Sequence, residues 1–531
     1  STTLEDDSWV REVTDAEPAG DKLNLTDTGA LVTNSQKFYR ARLTDIAEFD
    51  QTGFDFSFTP GTVSLFHLPT DPPLPASVTS ASVGGITATV VNYDPATGII
   101  KLLFDDSSLA PGEYPALING LITSSDTYSI AGPNNVLLLI LDDWGIDASE
   151  LYNTAGPGIQ LANMPTLKNL ADNGLLFTRG YSQPICSPTR ATLLTGRQPY
   201  QHGVGNPGAN NTLPAVELTF PEIISEEAPN YGLASFGKWH LGSGNTGAFD
   251  TGGWPNFTGT LQGGVPDYND WVRVKIENNV LTDSGTDITA LVTAGDYSSP
   301  YATSVQVDEA VSFITDQDSD PWVVWMGFNA PHTPFHDPPA GLAPAGGYST
   351  TGSSNINLYI RSLEALDTEI ARLLTSVDLS KTNIVVIGDN GTPGQVDQAP
   401  AGGIAGAKGS LNEGGIHVPF FAIGPDVLQT GTSNKLVHVA DLFTTVLDLT
   451  NVEVPAEIDH HSDSLVPIFN GTDTADRCII AEVFGQNEND GRSLIMDDWP
   501  NYKLISTQNV FDPNDTPVYQ MYLLGANGVE A

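Results

Sequence analysis

Polar and apolar positions divide the chain into two textures. Up to about residue 132, short alternating runs at 77–83, 87–91 and 98–104 lie between clusters of Thr, Ser, Asp, Gly and Pro. Period-two alternation bounded by turn residues predicts half-buried strands, hence an N-terminal β-sandwich-like module over 1–132. Phe54, Phe56 and Phe58 alternate in the same way, as core-facing strand residues do. After Gly132-Pro-Asn-Asn the texture changes. Residues 136–141 form an unbroken apolar run that ends in Asp142 and Asp143, the pattern of a strand covered on both faces. Helical stretches at 164–173, 191–195, 305–315 and 356–376 then alternate with strand-like runs at 322–328 and 384–388. That alternation predicts an α/β domain with a mostly parallel central sheet flanked by helices, over 133–430. From about 430 the pattern becomes shorter and mixed, which predicts a small C-terminal α+β subdomain, 431–531, packed on the main one.

Composition narrows the class. Lys and Arg total 21 against 64 Asp and Glu, a net charge of −43, which repels a phosphate backbone and excludes nucleic acid as a natural partner. Such a surface is best tolerated where salt screens it, so a marine or saline setting is expected. Hydrophobic residues at 40% exclude wholesale disorder, and 52 Gly with 37 Pro point to many turns. No run approaches 18 apolar residues, so no membrane-spanning helix is expected. The chain begins at Ser1 without an initiator Met, as either a trimmed chain or a secreted or periplasmic protein with its signal peptide removed would; the second is the expectation, though a removed signal peptide leaves no trace in the sequence. Cys186 and Cys478 allow at most one disulfide; Cys478, in an apolar strand-like run, reads as core.

Candidate chemistry clusters at the ends of the apolar runs. Asp142-Asp143 and Asp389-Asn390 follow two of them directly, and in open α/β sheets ligands sit beyond the carboxyl ends of the strands. Hard oxygen donors there suit Ca²⁺ or Mg²⁺; the competing reading is helix caps or turns. Gln183-Pro-Ile-Cys186-Ser-Pro-Thr-Arg190-Ala-Thr-Leu-Leu-Thr-Gly196-Arg197 puts a Cys at a predicted helix N-terminus, where the dipole favours an anion or a nucleophile. Arg190 lies one turn on. A buried structural Cys is the bland alternative.

This stretch, C-x-P-x-R followed by T-G-R, resembles the signature of the type I sulfatases, formylglycine-dependent enzymes of the alkaline phosphatase superfamily. Further blocks follow in the family's order: Gly237-Lys238-Trp239-His240-Leu241-Gly242, Ala330-Pro331-His332-Thr333-Pro334, Gly388-Asp389-Asn390-Gly391, and Lys408-Gly-Ser-Leu-Asn-Glu413-Gly-Gly-Ile-His417-Val-Pro. The resemblance implies an alkaline-phosphatase-like fold and hydrolysis of a sulfate ester, either an aryl sulfate or a sulfated carbohydrate. It implies that Cys186 is converted to formylglycine by a formylglycine-generating enzyme, and that the aldehyde hydrate supplies the nucleophile. Asp142, Asp143, Asp389, Asn390 and the modified Cys186 would bind one Ca²⁺, with Mg²⁺ or Mn²⁺ as alternatives. Lys408 and His332 would contact the ester and protonate the leaving oxygen, Lys238 and Arg190 would position the hydrate and stabilise charge, and His240 would take the proton whose loss expels sulfate.

The resemblance runs from about 136 to 417, more weakly onward, and leaves 1–132 unexplained. His417 stands where the family commonly has Arg, which puts in question an ion pair assumed there. The nearest rival is a phosphonate or phosphate ester hydrolase of the same superfamily; its members typically place His after the metal-binding Asp, where this chain has Asn390. A rival of another class is a non-catalytic sulfatase-like binding protein. Substrate choice is expected in loops at 242–301 and 337–354.

Overall fold

The computed structural model describes residues 62–67, 74–95, 99–104, 109, 112–119, 122–130, 133–152, 159–208, 211–242, 244–318, 320–398, 404–485, 490–497, 502–508 and 517–524. The chain divides into two units, Ser1–Gly132 and Pro133–Ala531.

In the first unit, β1 (Thr62–His67), β2 (Ala81–Val83), β3 (Ile86–Asp94), β4 (Ile99–Phe104), β5 (Gly112–Ile118) and β6 (Ile122–Ile130) form one antiparallel sheet in the order β1-β4-β3-β2-β5-β6. The end strands β1 and β6 come into contact, so the sheet curls back on itself. Alternating residues, among them Val83, Ile100, Leu102, Phe104, Ala116 and Ile118, bury one face. The predicted strand residues Phe54, Phe56 and Phe58 lie outside the described residues.

The second unit is built on a ten-stranded sheet. Its strands are β7 (Asn135–Leu141), β8 (Leu175–Tyr181), β9 (Gly232–Lys238), β10 (Asn256–Thr260), β11 (Val272–Glu277), β12 (Val280–Asp287), β13 (Trp322–Gly327), β14 (Thr382–Gly388), β15 (Phe420–Ile423) and β16 (Gly431–His438). They run in the order β12-β11-β10-β9-β13-β7-β14-β15-β8-β16. The strands from β10 to β14 in that order are parallel; β11, β12 and β15 run antiparallel to their neighbours. The continuous apolar run of β7 follows from its central place. Val136, Leu138 and Ile140 enter the core on one face, and Leu137, Leu139 and Leu141 the core on the other. Helices Pro165–Asn173, Ala302–Asp316 and Asn355–Leu374 cover the second face. Cys186–Thr195, Phe220–Glu227 and Asp441–Leu449 cover the first.

Three sequence expectations meet a different structure. Residues 242–301 are not one loop: β10, β11 and β12 within them extend the large sheet, and Trp254 and Trp271 are buried in the cores on its two faces. The first element of the 431–531 subdomain expected from sequence, β16, is an edge of the large sheet beside β8. The smaller sheet, β17 (Cys478–Val483), β18 (Asp490–Met496), β19 (Tyr502–Gln508) and β20 (Val518–Leu523), is antiparallel in sequence order. Cys478 is exposed rather than core, because alternation along β17 turns Ile479 and Ala481 inward and Cys478 outward.

Candidate active site

Strand register assembles the site before any side chain is considered. Leu141 on β7 is level with Gly388 on β14, so Asp142 and Asp389 leave the sheet as neighbours. On the other side of β7, Gly327 on β13 is level with Ile140 and with Gly237 on β9. Lys238 and His240 therefore emerge from β9, and His332 from the turn after β13, at the same edge. Cys186 opens a helix, Cys186–Thr195, in which every residue is buried; Ile185 precedes it in extended conformation. Gly196 ends that helix at φ +66°, where a Cβ would meet Phe443 at 2.6 Å. Asp143 and His240 also sit in the left-handed region, at φ 69° and 59°, a conformation Asp and His adopt more readily than most residues but still an unusual one.

The charges pair tightly. Lys238 Nζ donates to Asp142 Oδ2 at 2.6 Å, both side chains fully buried. Lys408 Nζ donates to Asp143 Oδ1, and Asn390 Nδ2 donates to the same oxygen at 2.8 Å. Arg190 donates to Asp389 Oδ2 at 3.2 Å and to the Lys238 carbonyl at 2.7 Å. The Asp143 amide donates to Asp389 Oδ1 at 2.9 Å. Cys186 Sγ lies 3.2 Å from His240 Nδ1. His332 Nδ1 is 2.8 Å from the Thr333 carbonyl. A carbonyl only accepts, so Nδ1 carries the hydrogen and Nε2 is left facing Asp143 Oδ2, 3.8 Å away.

Burial and neighbours set the protonation states. Burial, reinforced by Asp389, drives the Asp142 carboxyl well above the usual range. Burial pushes Asp143 the same way, yet Lys408 and His332 outweigh it and hold this carboxyl low. Burial pushes the Cys186 thiol up in spite of Lys238 and Lys408. Burial, with Lys238 adding to it, keeps His240 neutral, and burial lowers His332 to about 4 against the pull of Asp143. Burial would lower Lys408, but Asp143 and Cys186 outweigh it and keep the ammonium charged.

The donor set fits a hard divalent cation. Asp142 Oδ1 and Asn390 Oδ1 are buried without a hydrogen-bond partner, and an orphaned buried oxygen calls for a donor or an ion. Ligand atoms of Asp142, Asp143 and His332 fall within 4.8 Å of one another. His332 was expected from sequence beside the ester rather than beside the carboxylates. Asp389, expected in the same ligand set, is here turned to Arg190 and the Asp143 amide.

Sequence reading missed the groups that hold these residues from behind. Tyr359 donates to the Asp143 carbonyl at 2.8 Å, Thr189 to the Asp389 carbonyl at 2.6 Å, and Ser187 to the His240 carbonyl at 2.9 Å. Thr189 and Ser187 lie inside the Cys186 motif and were available there. Tyr359 comes from a distant helix, and no local pattern marks it.

Comparison with known proteins gives consistent results. The family model described as Sulfatase matches residues 134–452. An uncharacterised sulfatase of Escherichia coli is 27% identical over 392 residues, covering 64% of this chain and 66% of that one. Arylsulfatase A of Bos taurus is 28% identical over 379 residues, covering 65% and 70%. The chain thus spans about two thirds of the length of these curated relatives. Among solved structures, Ps i-CgsB in complex with k-i-k-neocarrahexaose superposes with a TM-score of 0.58 at 21% identity, covering 74% of this chain and 86% of that one, a likeness of fold.

Proposed function

The chain belongs to the sulfatase family, as a type I member of the alkaline phosphatase superfamily, and from that premise we propose that it hydrolyses sulfate monoesters at the cluster around Cys186, releasing inorganic sulfate and an alcohol or phenol. One observation carries the reading: in a protein with 21 Lys and Arg against 64 acids, Arg190, Lys238 and Lys408 converge on one buried point together with two imidazoles and the orphaned oxygens.

The side chain encoded at 186 is a buried neutral thiol, a weak nucleophile. The reading therefore includes its conversion to formylglycine by a formylglycine-generating enzyme, the hydrated aldehyde supplying one hydroxyl to displace the alcohol at sulfur and a second whose deprotonation expels sulfate. Asp142, Asp143, Asp389, Asn390 and residue 186 would hold a divalent cation, Ca²⁺ in preference to Mg²⁺ or Mn²⁺, which when bound adds positive charge against the ester oxygens.

The remaining roles fall to side chains already in place. His240, neutral and with Nδ1 turned to residue 186, accepts a proton from it. Lys408 stays charged and neutralises the ester. His332, with Nδ1–H tied to a carbonyl, offers Nε2 to the departing oxygen; the negative ester beside it favours the imidazolium that donates. Lys238 and Arg190 are held rigidly by Asp142 and Asp389 and fix the position of residue 186 and the charge that develops around it.

Residues 133–531 would carry this chemistry, with 1–132 as an accessory module. The oligosaccharide named for Ps i-CgsB supports a sulfated carbohydrate as substrate, with aryl sulfates as assay esters, in a secreted or periplasmic setting. The test is peptide mass spectrometry across Cys186 on material assayed for release of sulfate and of phosphonate. The expected outcome is a formylglycine-containing peptide, sulfate release well above phosphonate-ester hydrolysis, and loss of turnover in Cys186→Ala with the fold retained. Undiminished turnover in Cys186→Ala, or a preference for phosphonate esters, overturns the reading.

A further inference from the structure

The segment between β10 and β11 carries no recognisable motif, yet it touches both imidazoles of the site. A Cβ at Gly263 would stand 2.5 Å from Cε1 and Nε2 of His240, and one at Gly264 would stand 3.0 Å from Nδ1 of His332. A side chain at 263 would have to displace the His240 ring, and one at 264 would press on the His332 ring.

Shortly after this pair comes Tyr268, whose side chain is fully buried. Its hydroxyl lies 2.6 Å from the Asn329 carbonyl oxygen and 2.8 Å from that of His332. These carbonyls belong to the two ends of one turn, closed by the His332 amide on the Asn329 carbonyl at 3.0 Å. A phenol has one proton, so it shares that proton between the two ends and holds them at a fixed separation. The ring is fixed in turn by stacking on His336, with centroids 3.9 Å apart and planes 21° apart. His336 Nδ1 lies 3.1 Å from the Pro334 carbonyl and so must donate to it; Nε2 then accepts from the Tyr301 hydroxyl at 3.0 Å. On the far side of the turn, Gln306 donates to the Asn329 side-chain oxygen at 2.6 Å.

Burying an aromatic ring here needs only the ring, and phenylalanine would supply that. Among the described residues the hydroxyl has no hydrogen-bond partner but the turn that carries His332. We infer that Tyr268 is a positioning residue for protonation of the leaving group: its hydroxyl, with Gly264 packed on the His332 imidazole, fixes the Asn329–His332 turn so that His332 Nε2 faces the ester oxygen. The inference rests on the role proposed above for His332.

General acid catalysis is worth about 10²–10⁴-fold, and it matters most when the departing oxygen is basic. Tyr268→Phe, His332→Ala and the double variant are therefore compared on 4-nitrophenyl sulfate, which leaves as an acidic phenol, and on an alkyl or sugar sulfate, which leaves as a basic alkoxide. In Tyr268→Phe the ratio of kcat on the aryl ester to kcat on the alkyl ester is expected to rise at least about tenfold over the parent protein, with KM for each ester changing far less. In the His332→Ala background the same substitution is expected to add nothing to that ratio, since two residues acting through one proton transfer are not additive. Gly264→Ala, which presses a methyl against His332 without touching the Tyr268 stack, is expected to raise the ratio as well, and it serves should Tyr268→Phe fold poorly. A ratio that rises in His332→Ala but stays flat in Tyr268→Phe and Gly264→Ala overturns the inference alone. Equal losses on both esters in His332→Ala overturn the acid role of His332 and the inference with it.

Discussion

Asp142 and Asp143 are adjacent in the chain and titrate in opposite directions. Each has an ammonium partner, Lys238 and Lys408, but Asp142 also faces Asp389, and in a buried site a second carboxylate outweighs what one lysine returns. The cluster is short of positive charge in just the place where Asp142 Oδ1 and Asn390 Oδ1 lack partners. Asn390→Ala removes one of those oxygens. The stabilisation that Ca²⁺ confers on thermal unfolding grows with the logarithm of concentration over Kd, so the expected result is a smaller rise in Tm on adding Ca²⁺ to Asn390→Ala than to the unmodified protein. An equal rise in both would remove Asn390 from the ligand set. Lys408 sits at the mouth of the same cluster, and removing one charged donor from an ester site typically costs about 10²–10³ in kcat. Lys408→Met should lose sulfate release by about that factor while circular dichroism stays unchanged; a loss of less than about threefold would place Lys408 outside the reaction. All of these side chains were legible in the sequence, because each falls in a short motif, and Asp142, Asp143, Asp389 and Asn390 also stand at the ends of apolar runs. Which carboxylate each cation serves was not legible, since it depends on strand register and on side chains that meet only in the fold.

Elements, more than residues, decide how firmly the site is held. The helix Cys186–Thr195 is buried along its whole length, so its end must turn sharply, and Gly196 does this in a conformation that leaves no room for a Cβ beside Phe443. Gly196→Ala combines left-handed strain with overpacking and is expected to cost about 1–3 kcal/mol, read from denaturant or thermal unfolding; a loss below about 0.5 kcal/mol would mean that Phe443 moves aside. A second tie joins β19 to the helix Glu413–Ile416, which follows Lys408. Glu413 accepts from Lys503 Nζ at 3.0 Å and from the Tyr181 hydroxyl at 3.1 Å, and lies 3.1 Å from His417 Nδ1. The ion pair that His417 put in question from sequence is thus kept, with Lys503 supplying charge from another sheet. Burial alone would raise the Glu413 carboxyl, but Lys503 and then His417 outweigh it and bring it from an ordinary 4.5 down to about 2. The folded protein therefore binds fewer protons than the unfolded one between about 2 and 4.5, and the stability this group contributes, on the order of 3 kcal/mol, is present above that window and lost as pH falls through it. The Tm difference between the unmodified protein and Glu413→Gln should be largest near pH 6 and shrink as pH falls below about 4.5. A difference that stays constant down to about pH 3 would show that the carboxylate charge is not what stabilises the tie. The central strands and long helices were readable from their apolar runs. The outer strands were not, because edge strands such as β16 are largely exposed at their first residues and carry the polar composition of loops.

At the scale of the molecule, a net charge of −43 stands against one local cluster of cations, Arg190, Lys238 and Lys408. The two fields act over different distances. Surface charge reaches out by about a Debye length, roughly 30 Å at 0.01 M salt and 8 Å at 0.15 M, whereas the clustered cations would act at contact on a desolvated ester and be little screened. Composition alone made the first field legible; the second needed the fold to bring three cations from β9, a buried helix and the Lys408 loop to one edge. An anionic substrate must cross the first to reach the second, so salt should help it arrive without weakening its capture. From about 0.01 M to 0.15 M NaCl, at fixed Ca²⁺, kcat/KM is expected to rise several-fold, mainly through KM, and to rise more for a multiply sulfated oligosaccharide than for singly charged 4-nitrophenyl sulfate, because the repulsion scales with the charge carried. Initial rates on both esters across that range decide the matter. A steady fall with salt would mean that the local cations already dominate the field along the approach, and that the acidic surface is arranged to leave the mouth of the site open.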